Sequence, residues 1–286
     1  MVLPGDFVVD LKDLDIDDQH YVGERAANLG SMVGKFPIPH GFVVAYPAYF
    51  EFLKHDNLST KIKHLLGATN FELTDSVHQI AGHINGIIRS SRFPTNIVNK
   101  VTEHYERIGS PRVLIETIMV TGDHGQNLYN RRYKNYETLG DASLLDVIRS
   151  SWASIFTPEL ISHRHKNGFD HFKTAVSVLV TEVLGSATKG RILTADPHSG
   201  DKSNTIVQVL SDNGDYLVDK KNLVINRRPK DVSRIELQRL SEAEIVSLAK
   251  LGSEIEKHFY FPQVIDWIRD RHSISILDVK KLNFNA

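Results

Sequence analysis

Val22-Gly-Glu-Arg-Ala-Ala-Asn-Leu-Gly30 leads through Ser31 to Lys35 into Phe36-Pro-Ile-Pro-His-Gly-Phe-Val-Val44, and the backbone demands of this stretch decide how the chain is built. Arg25 to Val33 place Ala27, Leu29, Met32 and Val33 along one side of a short helix, and Ala26 and Ala27 keep its first turn thin enough for close backbone approach. Gly34 suits the helix end. Pro37 and Pro39 force an extended path, Gly41 permits a turn, and Phe42 to Ala45 read as a buried strand. Pro47 then opens a helix carrying Ala48, Tyr49, Phe52 and Leu53.

Outward from that stretch, 286 residues with 41% hydrophobic content suffice for one large domain or two lobes with a sizeable core. No cysteine is present, which excludes disulfides, thiolate metal sites and thiol nucleophiles. Lys and Arg together number 34 against 35 Asp and Glu, and the net charge of -1 argues against wholesale attraction to nucleic acid or membrane. The N-terminus shows no basic region followed by an apolar run, and no window reaches the length of a membrane span, so a cytoplasmic protein is expected.

Residues 7–18 begin as a short strand and turn acidic. Val77, Ile80, Ile84, Ile87 and Ile88 share one helical face, as do Ile97, Val101, Tyr105 and Ile108. Pro111 to Val120 and Asn127 to Leu139 read as strands separated by a turn, Leu144 to Ile155 as an amphipathic helix, and Thr157-Pro158 as a helix start. Near residue 173 the hydrophobic period changes. Segments 176–180, 191–194, 205–209, 223–226, 264–268 and 274–279 read as strands, interrupted by one helix from Ser241 to His258 with Ser241 and Glu244 as a capping box. The expectation is an α+β chain with a helix-rich first lobe over residues 1–172 and a sheet-rich second lobe over residues 173–286.

The opening stretch resembles the N-terminal nucleotide-binding domain of the phosphoenolpyruvate synthase and pyruvate phosphate dikinase family. Members typically read V-G-G-K-G-A-N-L-G, then F-P-V-P-x-G-F-V-V, then an A-Y-x-x-F-L helix, matched here by Val22 to Gly30, Phe36 to Val44 and Ala48 to Leu53. Further along, Ser150 to Phe156 is similar to the family's W-A-S-L-F helix, Gly190 to Gly200 to G-V-x-F-T-x-D-P-x-T-G, Val264 to Ile268 to D-I-E-W-A, and Ile276 to Lys281 to a closing L-Q-x-R-P strand. The resemblance implies a two-lobed ATP-grasp-like fold that holds ATP, with Mg2+, between its lobes.

Motifs that preserve shape survive better than those that carry chemistry. Where the family's V-R-S-S-A-x-x-E-D strand supplies an arginine to the ATP phosphates, Ile115 to Asp123 carries Glu116. Opposite charges at about 4 Å in a medium of effective dielectric near 20 attract by roughly 4 kcal/mol, so reversing one sign matters. Where the family's S-F-A-G-Q-x-x-T-Y loop covers the phosphates with small residues, Leu128 to Tyr136 puts Arg131 at the glycine position, followed by Arg132. By the same resemblance Arg25 stands for the family lysine and Lys280 for its second arginine. Thr194 and Asp196 lie in the strand and turn matched to T-x-D-P. Asp266 stands for the metal-binding glutamate and Asp278 for a glutamine, the two forming a candidate Mg2+ carboxylate pair.

Glu116 and Arg131 are expected to pair and close the phosphate site, leaving ATP binding weak. His163, His165 and His171 read as packing or surface residues rather than metal ligands, and Arg131, Arg132 and Lys134 as a solvated strand face rather than a nucleic-acid site. Family members pass phosphate from ATP to a histidine on a swivelling domain that nothing in this sequence resembles. The resemblance therefore implies a divergent, non-catalytic homologue that works as a binding or regulatory protein. Its alternative is an ATP- and Mg2+-binding phosphotransferase module serving a histidine domain or acceptor on another chain.

Overall fold

A computed structural model of the chain describes residues 2–3, 5–121, 136–185, 188–232, 239–270 and 273–284. They form two compact units, the first from Met1–Ser31 with His40–Val183, the second from Met32–Pro39 with Leu184–Ala286. No helix among the described residues is long and apolar enough to cross a membrane.

The first unit is built on a sheet in the order β1-β2-β5-β3-β4, from β1 (Val8–Asp10), β2 (Gly41–Val44), β3 (Arg112–Thr121), β4 (Tyr136–Leu139) and β5 (Ala175–Glu182), every pair antiparallel. The central strand β5 is buried at every position but its last, which explains its continuous apolar run Val178-Leu-Val180 in place of alternation. The helices are α1 (Gln19–Val22), α2 (Glu24–Met32), α3 (Tyr46–Lys54), α4 (Leu58–Gly67), α5 (Thr74–Ser90), α6 (Thr95–Ile108), α7 (Asp141–Ala153) and α8 (Pro158–Lys166). The apolar faces of α3 to α8 share one core with the sheet, in which the Trp152 ring lies 4.9 Å from Phe52, 5.2 Å from Phe93 and 5.9 Å from Tyr49. Pro47 and Pro158 stand at the starts of α3 and α8, and the Thr157 hydroxyl caps the latter by accepting from the Leu160 N–H.

The second unit carries a sheet in the order β11-β10-β6-β7-β8-β9, again antiparallel throughout, from β6 (Thr188–Leu193), β7 (Asn204–Val209), β8 (Asp215–Asp219), β9 (Ile225–Arg227), β10 (Gln263–Asp270) and β11 (Ser273–Lys281). One helix, α9 (Glu242–Phe259), covers one face. Ile192, Val207 and Ile265 stand side by side on that face, buried together with Ile245, Leu248 and Ile255 of the helix. Close packing needs small residues: a Cβ on Gly252 would come within 2.6 Å of Ile192, and one on Gly190 within 2.3 Å of Trp267.

The division expected at residues 172 and 173 is corrected. β5 pairs with β2 and β3, so it belongs to the first unit, and the change of hydrophobic period marks the entry into a doubly covered strand, not a boundary. Residues 32–39 also change side, because the Pro37 carbonyl accepts the Ile276 N–H at 2.9 Å and Phe36 meets His258 edge-on at 5.8 Å. Strand β8 had no counterpart in the sequence reading, and β9 begins two residues later than expected.

The capping box is present as read, with the Ser241 N–H donating to Glu244 at 2.8 Å and the Glu244 N–H to the Ser241 hydroxyl at 3.3 Å. Glu244 also accepts from Arg269 at 2.7 Å, tying the start of α9 to β10. Burial pushes the Glu244 carboxyl upward, but the Ser241 and Arg269 hydrogen bonds outweigh it and hold the group below its ordinary range. A depressed folded value means stabilisation that is complete above the unfolded pKa and lost as pH falls through the folded one. Glu244→Gln should therefore lower the thermal midpoint at pH 7, and the gap from wild type should narrow in a scan towards pH 3.

Candidate functional site

Two groups of charged side chains stand where the resemblance places phosphate and metal chemistry, one in each unit. In the first unit the decisive feature is how closely the α1–α2 junction approaches the sheet. Gly23 joins the two short helices at φ 84°, a conformation that side chains rarely adopt, and a Cβ there would come within 2.4 Å of Ile118 on β3. The preceding Val22 carbonyl accepts the buried Ser177 hydroxyl of β5 at 2.6 Å. Ala26 and Ala27 are fully buried, as a thin first turn requires.

This pinned junction brings Arg25 to Glu116. The guanidinium lies 3.0 Å from the carboxylate, and the side chains are 32% and 6% exposed respectively. Glu116 stands mid-strand in β3, opposite Leu179 of β5. The partner expected for it, Arg131, lies with Arg132 outside the described residues, and the partner the structure gives it is Arg25. The reason is local: Gly23 sits against β3 and carries Arg25, two residues on, over the same strand.

In the second unit, Arg191, Asp266 and Asp278 occupy one row across β6, β10 and β11. Arg191 donates to both Asp266 oxygens, Nε to Oδ1 at 2.7 Å and Nη2 to Oδ2 at 3.3 Å. The hydrogen bond to Asp266 is the main cause holding the Arg191 pKa above its ordinary value; burial opposes it, and the charges of Asp266 and Asp278 assist. The row continues through Gln208 of β7 to Asp215 of β8, which accepts the Gln208 amide at 3.1 Å. Lys280, exposed, stands two residues from Asp278 on the same side of β11.

Asp278 reaches this row through a bulge. Asp266 is opposite Asp278 and Trp267 is opposite Ile276, so Leu277 is the extra residue. Ile276 therefore faces the helix-covered side with Trp267, and Asp278 the other, which unbroken alternation would forbid.

Two further candidate positions are engaged within the second unit. Thr194 is fully buried, its N–H donating to the Gln263 carbonyl at 3.0 Å and its hydroxyl oxygen accepting the Gln263 N–H at 2.8 Å, so it extends the pairing of β6 with β10. Asp196 caps its own turn, accepting the N–H groups of His198 at 2.8 Å and Ser199 at 3.1 Å; these bonds, that of Ser199 foremost, hold its carboxyl below the ordinary range.

The candidate Mg2+ carboxylates are brought face to face, but both Asp266 oxygens are already engaged by a cation. Among the described residues no three His, Asp or Glu side chains gather to hold a metal. Mg2+ requires oxygen ligands in near-octahedral array, and here the Arg191 guanidinium holds both oxygens of one of the two carboxylates, so these residues as arranged do not fit it. Of the three histidines, His163 lies tilted against Phe169 at 6.0 Å, His165 stacks on Phe71 at 3.6 Å and His171 accepts from Arg164 at 3.1 Å. Arg191 escaped the sequence reading. Its signal was an arginine where the family motif has an apolar residue, the V of G-V-x-F-T.

The fold is thus a two-unit α+β domain whose charged sites sit on sheet faces. Residues 19–222 match the family described as pyruvate phosphate dikinase, AMP/ATP-binding domain, and the chain belongs to that family. A probable phosphoenolpyruvate synthase of Methanocaldococcus jannaschii is 24% identical over 96% of this chain and 26% of its own length. That of Methanothermobacter thermautotrophicus is 26% identical over 92% of this chain and 45% of its own length. A rifampicin phosphotransferase of Bacillus cereus is 22% identical over 91% and 34% respectively. The chain thus spans less than half the length of these relatives. Solved D-alanyl-alanine synthetase A of Vibrio cholerae aligns with 68% of this chain and 48% of its own at 9% identity and a TM-score of 0.34.

The Arg25–Glu116 pair should respond asymmetrically to mutation. Arg25→Ala leaves a buried carboxylate short of its cation and should cost about 1–3 kcal/mol in urea unfolding. Glu116→Gln leaves an arginine that already reaches water and should cost less than about 1 kcal/mol.

Proposed function

We propose that this chain is a nucleotide-binding domain of the phosphoenolpyruvate synthase and pyruvate phosphate dikinase type that acts by binding, as a regulatory module, and does not itself transfer phosphate. The observation that carries this reading is the Arg25–Glu116 pair. By the family resemblance both positions present positive charge to the phosphates of ATP. Here one of them is a carboxylate that neutralises the other, and a polyanion approaching Arg25 must displace Glu116 or accept its repulsion. Family membership supports nucleotide as the ligand class, and the internal neutralisation supports weak binding.

A second reading is favoured by the relatives: a probable phosphoenolpyruvate synthase and a rifampicin phosphotransferase both align over more than nine-tenths of this chain. On that reading the domain would load phosphate from ATP for a histidine domain or acceptor, and a histidine-domain or regulatory protein is the partner to seek.

Calorimetric titration with ATP separates the two. The binding reading expects a dissociation constant on the order of millimolar, corresponding to about 4 kcal/mol. Glu116→Arg should tighten it by about tenfold, or 1.4 kcal/mol, because a repulsive contact becomes an attractive one. Micromolar ATP binding by the wild-type chain that Glu116→Arg leaves unchanged would overturn this reading in favour of phosphotransfer.

A further inference from the structure

We propose that the guanidinium of Arg191 takes the place of a divalent cation beside Asp266 and Asp278, so that this sheet face holds no metal and the chain binds its nucleotide without one. The clause about nucleotide rests on the function proposed above; the clause about metal does not.

Four observations within the second unit carry it. First, Arg191, Asp266 and Asp278 are in register on three adjacent strands, so ladder hydrogen bonds set the spacing of the row. Second, Arg191 meets Asp266 as a fork, one nitrogen to each carboxylate oxygen at 2.7 and 3.3 Å, a geometry that uses the oxygens a metal would need. Third, the bulge at Leu277 turns Asp278 onto this face, placing a second carboxylate in a row whose cation is Arg191. Fourth, Arg191 is the cation within the row itself: the next residue beyond it is Gln208, which gives its amide to Asp215, and Lys280 stands off the row, two residues along β11 from Asp278.

A guanidinium differs from a metal in two respects that matter here. It stays charged at every accessible pH, and its stem ties it to β6, so neither dilution nor chelation removes it. A hard cation such as Mg2+ would have to shed water and displace this tethered charge, while repelled by it throughout. The arrangement is thus a carboxylate site with its counter-ion built in.

The test titrates the full chain with Mn2+, following free Mn2+ by electron paramagnetic resonance without nucleotide. Wild type and Arg191→Lys, which keeps the charge, should show no saturable binding below millimolar concentrations. Arg191→Gln, which keeps much of the stem, and Arg191→Val should each bind Mn2+ at least about tenfold more tightly, a difference of 1.4 kcal/mol or more. Adding Asp278→Asn to Arg191→Val should abolish the gain. Circular dichroism and thermal midpoints near wild type establish that the variants are folded.

Saturable Mn2+ binding by wild type that Asp266→Asn removes would overturn the proposal, as would folded Arg191→Gln and Arg191→Val proteins that gain no Mn2+ affinity. In a separate arm, ATP affinity of the wild type should be equal in Mg2+ and in EDTA, and tightening by Mg2+ overturns the metal-free site. Absence of any ATP binding would instead defeat the nucleotide reading and leave the Mn2+ outcome standing.

Discussion

A carboxylate buried in the middle of a sheet needs a counter-charge, and Glu116 has Arg25 because the backbone at Gly23 lies directly against β3. That approach depends on a chain of small commitments. Gly23 has no Cβ to clash with Ile118, Ser177 holds the Val22 carbonyl, and Ala26 and Ala27 keep the first turn of α2 thin. A side chain at Gly23 would lift the junction and carry Arg25 away from its partner. Glu116 would then keep its burial and lose this cation, so the backbone geometry of four residues and the electrostatics of the strand are one constraint.

The two units treat charge in the same way although their elements differ. In the first, a helix start delivers an arginine to a strand carboxylate. In the second, two neighbouring strands do so through cross-strand register, and a bulge adds another carboxylate. In each pair the guanidinium is partly open to solvent, which screens part of its attraction to the carboxylate. On the proposed reading, an internally neutralised site offers a polyanion or a metal ion little that water does not.

The surviving shape motifs have a physical reason to persist when charge motifs change. Gly190 cannot gain a side chain without striking Trp267 and the Gln208 carbonyl, and Gly252 is bound in the same way by Ile192. Trp152 is enclosed by three aromatic rings. Each of these positions answers to many neighbours at once, so its substitution is costly. A charged residue on a sheet face answers to one or two partners, and a compensating partner restores the balance, as Arg25 does for Glu116.

Most of the elements and their class were legible in the sequence, strand β8 excepted. Period and punctuation located the helix with its Ser241 and Glu244 capping box, the extended path through Pro37 and Pro39, and the buried strand at Phe42, because each of these depends on residues close together in the chain. Glu116 itself stood out in the sequence as a carboxylate that the family resemblance places at an arginine position. The tertiary structure alone decided which residues meet. It put β5 between β2 and β3 and so moved the boundary of the units; it gave Glu116 to Arg25, drew the oxygen of Thr194 into strand pairing, and set Arg191 against Asp266. Arg191 and Asp266 are 75 positions apart, and their contact follows from register between strands that no local pattern encodes.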